Sequence, residues 1–138
     1  MSLFNVFNVT GSAMSAEAIR LNTTSSNLAN ANSVSSSAQE TYRARHPVFA
    51  AELQSASYQN DSSVPVQVLG IVESQKPLRA EYNPDHPMAN EQGYIFKPNV
   101  NVMEEMANMI SASRAYQTNV QIADASKQML MQTLKMGK

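Results

Sequence analysis

Apolar or small residues stand at Leu3, Phe7, Gly11, Met14, Ala18, Leu21, Ser25 and Leu28, always three or four positions apart. That spacing draws a stripe along one face of an α-helix and predicts helix over residues 3–30. Phe7, Met14, Leu21 and Leu28 also recur every seven residues, the period of a coiled-coil seam. The opposite face is Ser, Thr, Asn and Ala, small uncharged residues that let another helix approach closely. Such a helix is roughly 40 Å long, more than a small domain needs internally. A second stripe runs through Val102, Met106, Met109, Ser113, Tyr116, Val120, Ala123, Lys127, Leu130 and Leu134. Asn101 before it can cap a helix, and Glu104 three residues later completes the pattern of a capping box. The carboxylates of Glu104 and Glu105 suit the positive end of the helix dipole, Lys135 and Lys138 suit the negative end, and Gly137 marks a stop. This second helix measures about 50 Å.

Between the stripes the pattern changes. Helix-poor Asn and Ser gather at residues 30–33, and Ser33, Ser35, Ser36 and Ser37 predict a short flexible connector. Val64, Val66 and Val68 alternate with Pro65 and Gln67, and Ile71 follows Gly70, which predicts a strand with a break or bulge at the glycine. Residues 45–49 and 94–96 are weaker strand candidates, and Tyr82-Asn83-Pro84-Asp85-His86-Pro87 is turn chemistry. The expected organisation is an amphipathic helix over 1–32, a Ser-rich connector over 33–41, a small β-rich or irregular middle domain over 42–100 and a heptad helix over 101–138. The fold class is mainly α, with the terminal helices pairing as a coiled-coil-like hairpin because the middle region returns the backbone. About 60 middle residues with few large aliphatic side chains make a marginal core, so stability is expected to draw on neighbouring chains.

Composition narrows the function. The chain has 138 residues, 43% hydrophobic and 15% charged, against about a quarter charged in ordinary soluble domains. Their place is taken by Ser, Asn and Gln, and residues 1–38 carry only Glu17 and Arg20. A net charge of -1 gives no basic footprint for nucleic acid. No apolar run approaches the ~20 residues of a membrane span, and the N-terminal stretch reads as neither a membrane anchor nor an ordinary secretory signal. Zero cysteines remove disulfides and thiolate chemistry.

Candidate chemistry is thin, and neither metal nor cofactor is expected. Glu81, Asp85 and His86 could ligate a metal, but two prolines and turn composition surround them, and a solvated turn explains them better. Ser111 precedes Arg114, which cannot act as a base, so Arg114 reads instead as a planar donor to a carboxylate or carbonyl across an interface. The sequons at Asn8, Asn22 and Asn60 are expected by chance in so Asn- and Ser-rich a chain. Met103, Met106, Met109, Met129, Met131 and Met136 suit either an adaptable contact helix or an ordinary core stripe. Two long amphipathic segments cannot bury both stripes and both small-residue faces in one hairpin, so each subunit seeks others. Joining different patches on successive copies builds a ring or an open helix. A membrane-active effector or translocator is the competing reading, disfavoured by the scarcity of Lys and Arg in the first helix.

Specific strings go further. Ser25-Ser26-Asn27-Leu28-Ala29-Asn30-Ala31-Asn32 resembles the Asn-Leu-Ala-Asn signature of bacterial flagellar axial proteins of the rod and hook class. Ser111-Ala112-Ser113-Arg114-Ala115-Tyr116-Gln117-Thr118-Asn119 resembles the signature of their C-terminal helix, and residues 82–100 resemble the proximal-rod branch of the basal-body rod family. The Ser-rich connector before Tyr42-Arg43-Ala44-Arg45, where many rod relatives place a Thr-Pro-Gly-Tyr turn, fits that branch. The resemblance implies a non-enzymatic axial subunit, exported by the flagellar type III apparatus without signal cleavage and assembled in the periplasm. The implied partners are other copies, other rod proteins, the basal-body membrane ring and the rod-base adaptor. It implies assembly surfaces on Leu3, Phe7, Met14, Ala18, Leu21 and Leu28 of the first helix and on Val102, Met106, Met109, Tyr116, Val120, Ala123, Leu130 and Leu134 of the second. Asn27, Leu28, Ala29, Asn30, Ser113, Arg114, Tyr116, Gln117 and Asn119 carry the family motifs.

Overall fold

The computed structural model describes residues 3–52 and 64–137, with side chains from Asn5 onward. Helix α1 (Leu3–Asn30) and helix α2 (Val102–Met136) flank four strands, β1 (Arg45–Ala51), β2 (Val66–Glu73), β3 (Arg79–Tyr82) and β4 (Tyr94–Lys97). The helices pair antiparallel. Asn27 near the end of α1 bonds Glu105 at the start of α2, and Arg20, two turns earlier, bonds Asn108. Asn101 caps α2, its Oδ1 accepting the Met103 N–H at 3.2 Å. The reciprocal half of the expected capping box is missing among the described residues: Glu104 is exposed, and it is Glu105 that turns inward.

Strands β1 and β2 form an antiparallel ribbon whose register slips between Val48 and Phe49. Val48 pairs with Gly70 and Phe49 with Val68, so Leu69 has no partner and the bulge sits beside the glycine, as the sequence pattern predicts. The ribbon lies along α1. Arg45, at its start, is bonded to Asn27, and Val66, at its far end, donates its N–H to Ser12 Oγ at 3.1 Å. Strands β3 and β4 form a second antiparallel pair. Their connection turns on Asn90, whose Oδ1 accepts the Gln92 and Tyr94 N–H groups, and on Gly93 at φ +81°. A Cβ at Gly93 would meet Tyr82 Cε2 at 2.8 Å, and Tyr82 itself packs edge-on against Tyr94.

The serine connector is not a free tether. Ser33 bonds back to Asn30 O, Thr41 Oγ1 donates to Ser37 O, and Ser35 exchanges two backbone bonds with Phe96 of β4. Its serines satisfy local backbone groups, which the reading of Ser-rich sequence as flexible overlooks.

The buried hydrophobic residues are few: Ala16, Ala44, Ile95, Val100 and Ala112. Those of α1 buried against its neighbours are Thr10, Ala16, Thr23, Thr24 and Asn27, and those of α2 are Glu105, Ala112 and Ser126. The hairpin is therefore closed through small and polar side chains. The heptad stripe is offset around α1 from these most deeply buried residues. Phe7, Met14, Leu21 and Leu28 are half-buried, turned roughly 110° from the covered side of α1 at about 100° per residue.

Candidate assembly interface

Two regions carry the sequence signatures, and they are built in opposite ways. Where α1 ends, the ribbon begins and α2 starts, Asn27 is fully buried. Its Oδ1 accepts the Arg45 N–H at 2.9 Å and the Tyr42 hydroxyl at 2.8 Å. Its Nδ2 donates to Arg45 O at 2.8 Å and to Glu105 Oε2 at 3.1 Å. Two donors and two acceptor sites are thus all used, the full capacity of an amide side chain. Removing any partner strands a buried polar group, which costs more than the bond contributes. Asn99 works similarly on the other side: Oδ1 accepts the Ala44 N–H, and Nδ2 donates to Ser74 O and Lys76 O. These amides tie two helices and the ribbon into one body. The first Asn of the Asn-rich motif is a clamp on partners 15 to 78 positions away. Asn30 is local by contrast, donating to Ser26 O, while Ala29 is exposed and Leu28 half-buried.

Apart from fully buried Ala112, the second signature makes few contacts within the chain. Arg114, Tyr116 and Gln117 are exposed on α2, Ser113 is half-buried, and Asn119 donates only to Ala115 O within its own helix. Arg114 has no acceptor for its guanidinium among the described residues, so the five donors of that side chain face outward. Of the remaining α2 stripe, Val102, Met106, Tyr116 and Leu134 are exposed, while Met109, Val120, Ala123 and Leu130 are half-buried. On α1, Phe7, Met14, Ala18, Leu21 and Leu28 are half-buried; the side chain of Leu3 lies outside the described residues. So do Asn60-Asp61-Ser62 and Lys138.

The few charges of the helix pair are handled unequally. Glu17 and Arg20 of α1 lie 3.6 Å apart, and Arg20 also donates to Asn108 Oδ1 at 3.1 Å. This leaves α1 without a free cation among the described residues. On α2, Glu104, Arg114, Lys127 and Lys135 stand exposed.

The residues weighed for chemistry are otherwise engaged. Glu81 pairs with Lys97 across β3 and β4, and His86 Nδ1 accepts the Met88 N–H. Ser111 is exposed on the outer side of α2. Among the described residues no group of three His, Cys, Asp or Glu is placed to hold a metal ion, and no helix is long and apolar enough to cross a membrane.

The exposed apolar surface is extensive. Val102, Met103, Met106 and Ile110 are exposed near the start of α2, and Met129, Met131, Leu134 and Met136 are exposed around its last turns. The ribbon adds Leu69, Ile71 and Val72. The accessible surface totals 9489 Å² for 15.1 kDa. A compact monomer of that mass exposes about 7,100 Å². The excess, roughly 2,400 Å², reflects an extended helix pair that covers little of its own surface.

The chain is similar in sequence to known proteins. Residues 7–35 match the family described as "Flagella basal body rod protein", and residues 91–136 match "Flagellar basal body rod FlgEFG protein C-terminal". Over 137 residues the chain is 42% identical to the flagellar basal-body rod protein FlgC of Salmonella typhimurium (strain LT2), with 99% of each chain covered. The same protein of Escherichia coli O6:H1 also shows 42% identity, again with 99% of both chains covered. That of Buchnera aphidicola from Acyrthosiphon pisum is 39% identical over 136 residues, 97% of each.

Proposed function

We propose how this chain assembles, given that it belongs to the flagellar basal-body rod protein family and is, like its FlgC relatives, a structural subunit of the rod. The proposal rests on one observation: the most deeply buried residues of the hairpin are small or polar, while many large apolar side chains of α2 are exposed. A chain that folds this way is completed by its neighbours. In this reading the terminal helices pack side by side with those of other copies and of other rod proteins, forming a tube around the export channel, while the ribbon and the β3–β4 pair lie outside. Successive contacts join different patches, so the array grows instead of closing as a dimer. The subunit transmits torque from the membrane ring and rod-base adaptor to the distal rod, and does no chemistry. It is delivered by the flagellar type III apparatus without a cleaved leader and acts in the periplasmic part of the basal body.

The scarcity of charge supports this reading, since a helix enclosed by neighbours desolvates whatever charge it carries. In a cell lacking its own proximal-rod subunit, this chain is expected to restore basal bodies and swimming. Leu21→Asp and Met109→Asp are expected to leave export intact but to abolish incorporation, seen as secreted subunit absent from purified basal bodies. Normal motility in both variants overturns the assignment of those stripes.

A further inference from the structure

One carboxylate of α1 is withdrawn from water without gaining a hydrogen bond. Glu17 Oε2 is sealed from solvent and accepts nothing among the described residues. Its neighbouring cation, Arg20 Nη1, stands 3.6 Å away, beyond hydrogen-bond reach, while Nη2 of the same guanidinium donates to Asn108 Oδ1. A buried acceptor left unmet costs more than a hydrogen bond contributes, so such a group needs a partner. Beside it Ala13, Ala16, Phe49 and Val66 line a shallow, largely apolar cavity of about 260 Å³, and Glu17 completes the wall. Glu17 keeps 20% of its side-chain surface exposed. A donor entering the cavity therefore meets the carboxylate, and rotation about the last side-chain bond exchanges its two oxygens. The other carboxylates lack this need. Glu73, Glu81 and Glu105 are bonded within the chain, and the remaining described ones are exposed to water.

We infer that this cavity seats the side chain of Arg114 from a second copy of the chain. The occupant must bring a cation on a long apolar stem, since the wall offers one carboxylate among alanines, a valine and the half-exposed Phe49 ring. Arginine meets both requirements and lays its planar group on an aromatic face, which the compact ammonium of lysine does less well. Arg20 and Arg45 are engaged within the chain. Arg43 is half-buried in a cleft that also holds Glu40, and Arg79 lies on β3. Arg114 is the arginine that stands on a helix without an acceptor among the described residues. It follows fully buried Ala112 by two positions, which turns it about 160° from the packed side of α2. It faces away from its own Glu17, so donor and acceptor meet between copies. Exposed Ile110, one turn earlier on the same side, adds apolar contact at the cavity rim. Arg20 keeps its bond to Asn108, and the Glu17 carboxylate is shared by two guanidinium groups, within the roughly four acceptor positions it offers. Two different patches of one chain are thus joined, a heterologous contact that repeats along successive copies. The pairing presupposes the rod assembly proposed above.

The test exchanges the two charges in cells where this chain builds the rod, and reads the amount of subunit recovered in purified basal bodies. Glu17→Arg and Arg114→Glu alone are each expected to lower recovery several-fold, and the double variant to restore most of it. Arg114 already faces water, so Arg114→Glu is expected to leave thermal unfolding of the purified chain unchanged, which separates lost assembly from lost folding. Normal recovery of Arg114→Glu, or a double variant no better than Arg114→Glu alone, overturns the inference while leaving the rod reading intact. Failure of the unaltered chain to enter basal bodies overturns both.

Discussion

The junction around Asn27 and the outer side of α2 illustrate two ways of holding a protein together. At the junction every hydrogen-bonding group of Asn27 finds its partner inside the chain, and the residue is sealed from water. On the outer side of α2 large apolar groups have no partner inside the chain, from Met103 at 75% exposure to Met136 at 80%. The first arrangement fixes one shape, because a buried amide tolerates only the geometry that satisfies it. The second leaves a shape incomplete until neighbours arrive. A rod subunit needs both: helices set at a defined angle to the ribbon, and surfaces that gain by being covered.

If the comparison holds, damage at the junction destabilises the chain itself, and damage to the shaft is felt only in the assembly. Asn27→Ala strands Tyr42, Arg45 and Glu105 and is expected to lower stability by about 3–4 kcal/mol, read as thermal unfolding of the purified chain. A loss below one kcal/mol would break the claim that this amide sets the junction. Gly93→Ala comes next, at about 1–2 kcal/mol, because it places a Cβ in a left-handed turn against the Tyr82 ring. Hydrogen exchange should confine its effect to the β3–β4 pair. Met106→Asp is expected to change unfolding by no more than about 0.5 kcal/mol, since the side chain already faces water. Motility should nevertheless be lost in cells that depend on it. A large stability change with normal motility would reverse the contrast.

The hydrophobic period located both helices, and Asn101, Gly137 and Gly70 marked the two ends of α2 and the bulge, because each of these is a local matter of spacing and backbone preference. The period does not mark which residues of α1 are buried most deeply. The spacing of Phe7, Met14, Leu21 and Leu28 is the strongest apolar signal in α1, yet the most deeply buried residues there are Thr10, Ala16, Thr23, Thr24 and Asn27, with the stripe half-buried. Apolar periodicity reports which face is covered in the end, without saying by which chain. In a subunit that folds once and is buried again in an assembly, those are separate questions. The roles of Asn99 and Glu105 were equally hidden, since nothing near them in sequence marks the partners they meet in Ala44, Ser74 and Asn27. Arg114, read from its sequence as a donor and not a base, is exposed together with Tyr116 and Gln117 of the same motif.

The bonds that join the two helices connect positions far apart: Asn27 with Glu105 across 78 residues, and Arg20 with Asn108 across 88. Bringing such positions together costs about 4 kcal/mol of loop-closure entropy before any contact repays it, and chains dominated by such contacts fold slowly. Helix α1 is the first element made and the last to find its mate, since its partner lies in the final third of the chain. For that interval its Thr, Ala and Asn face is open to whatever it meets. The small, weakly apolar character of that face is therefore also a safeguard in time: an unpaired α1 has little with which to stick before α2 is present.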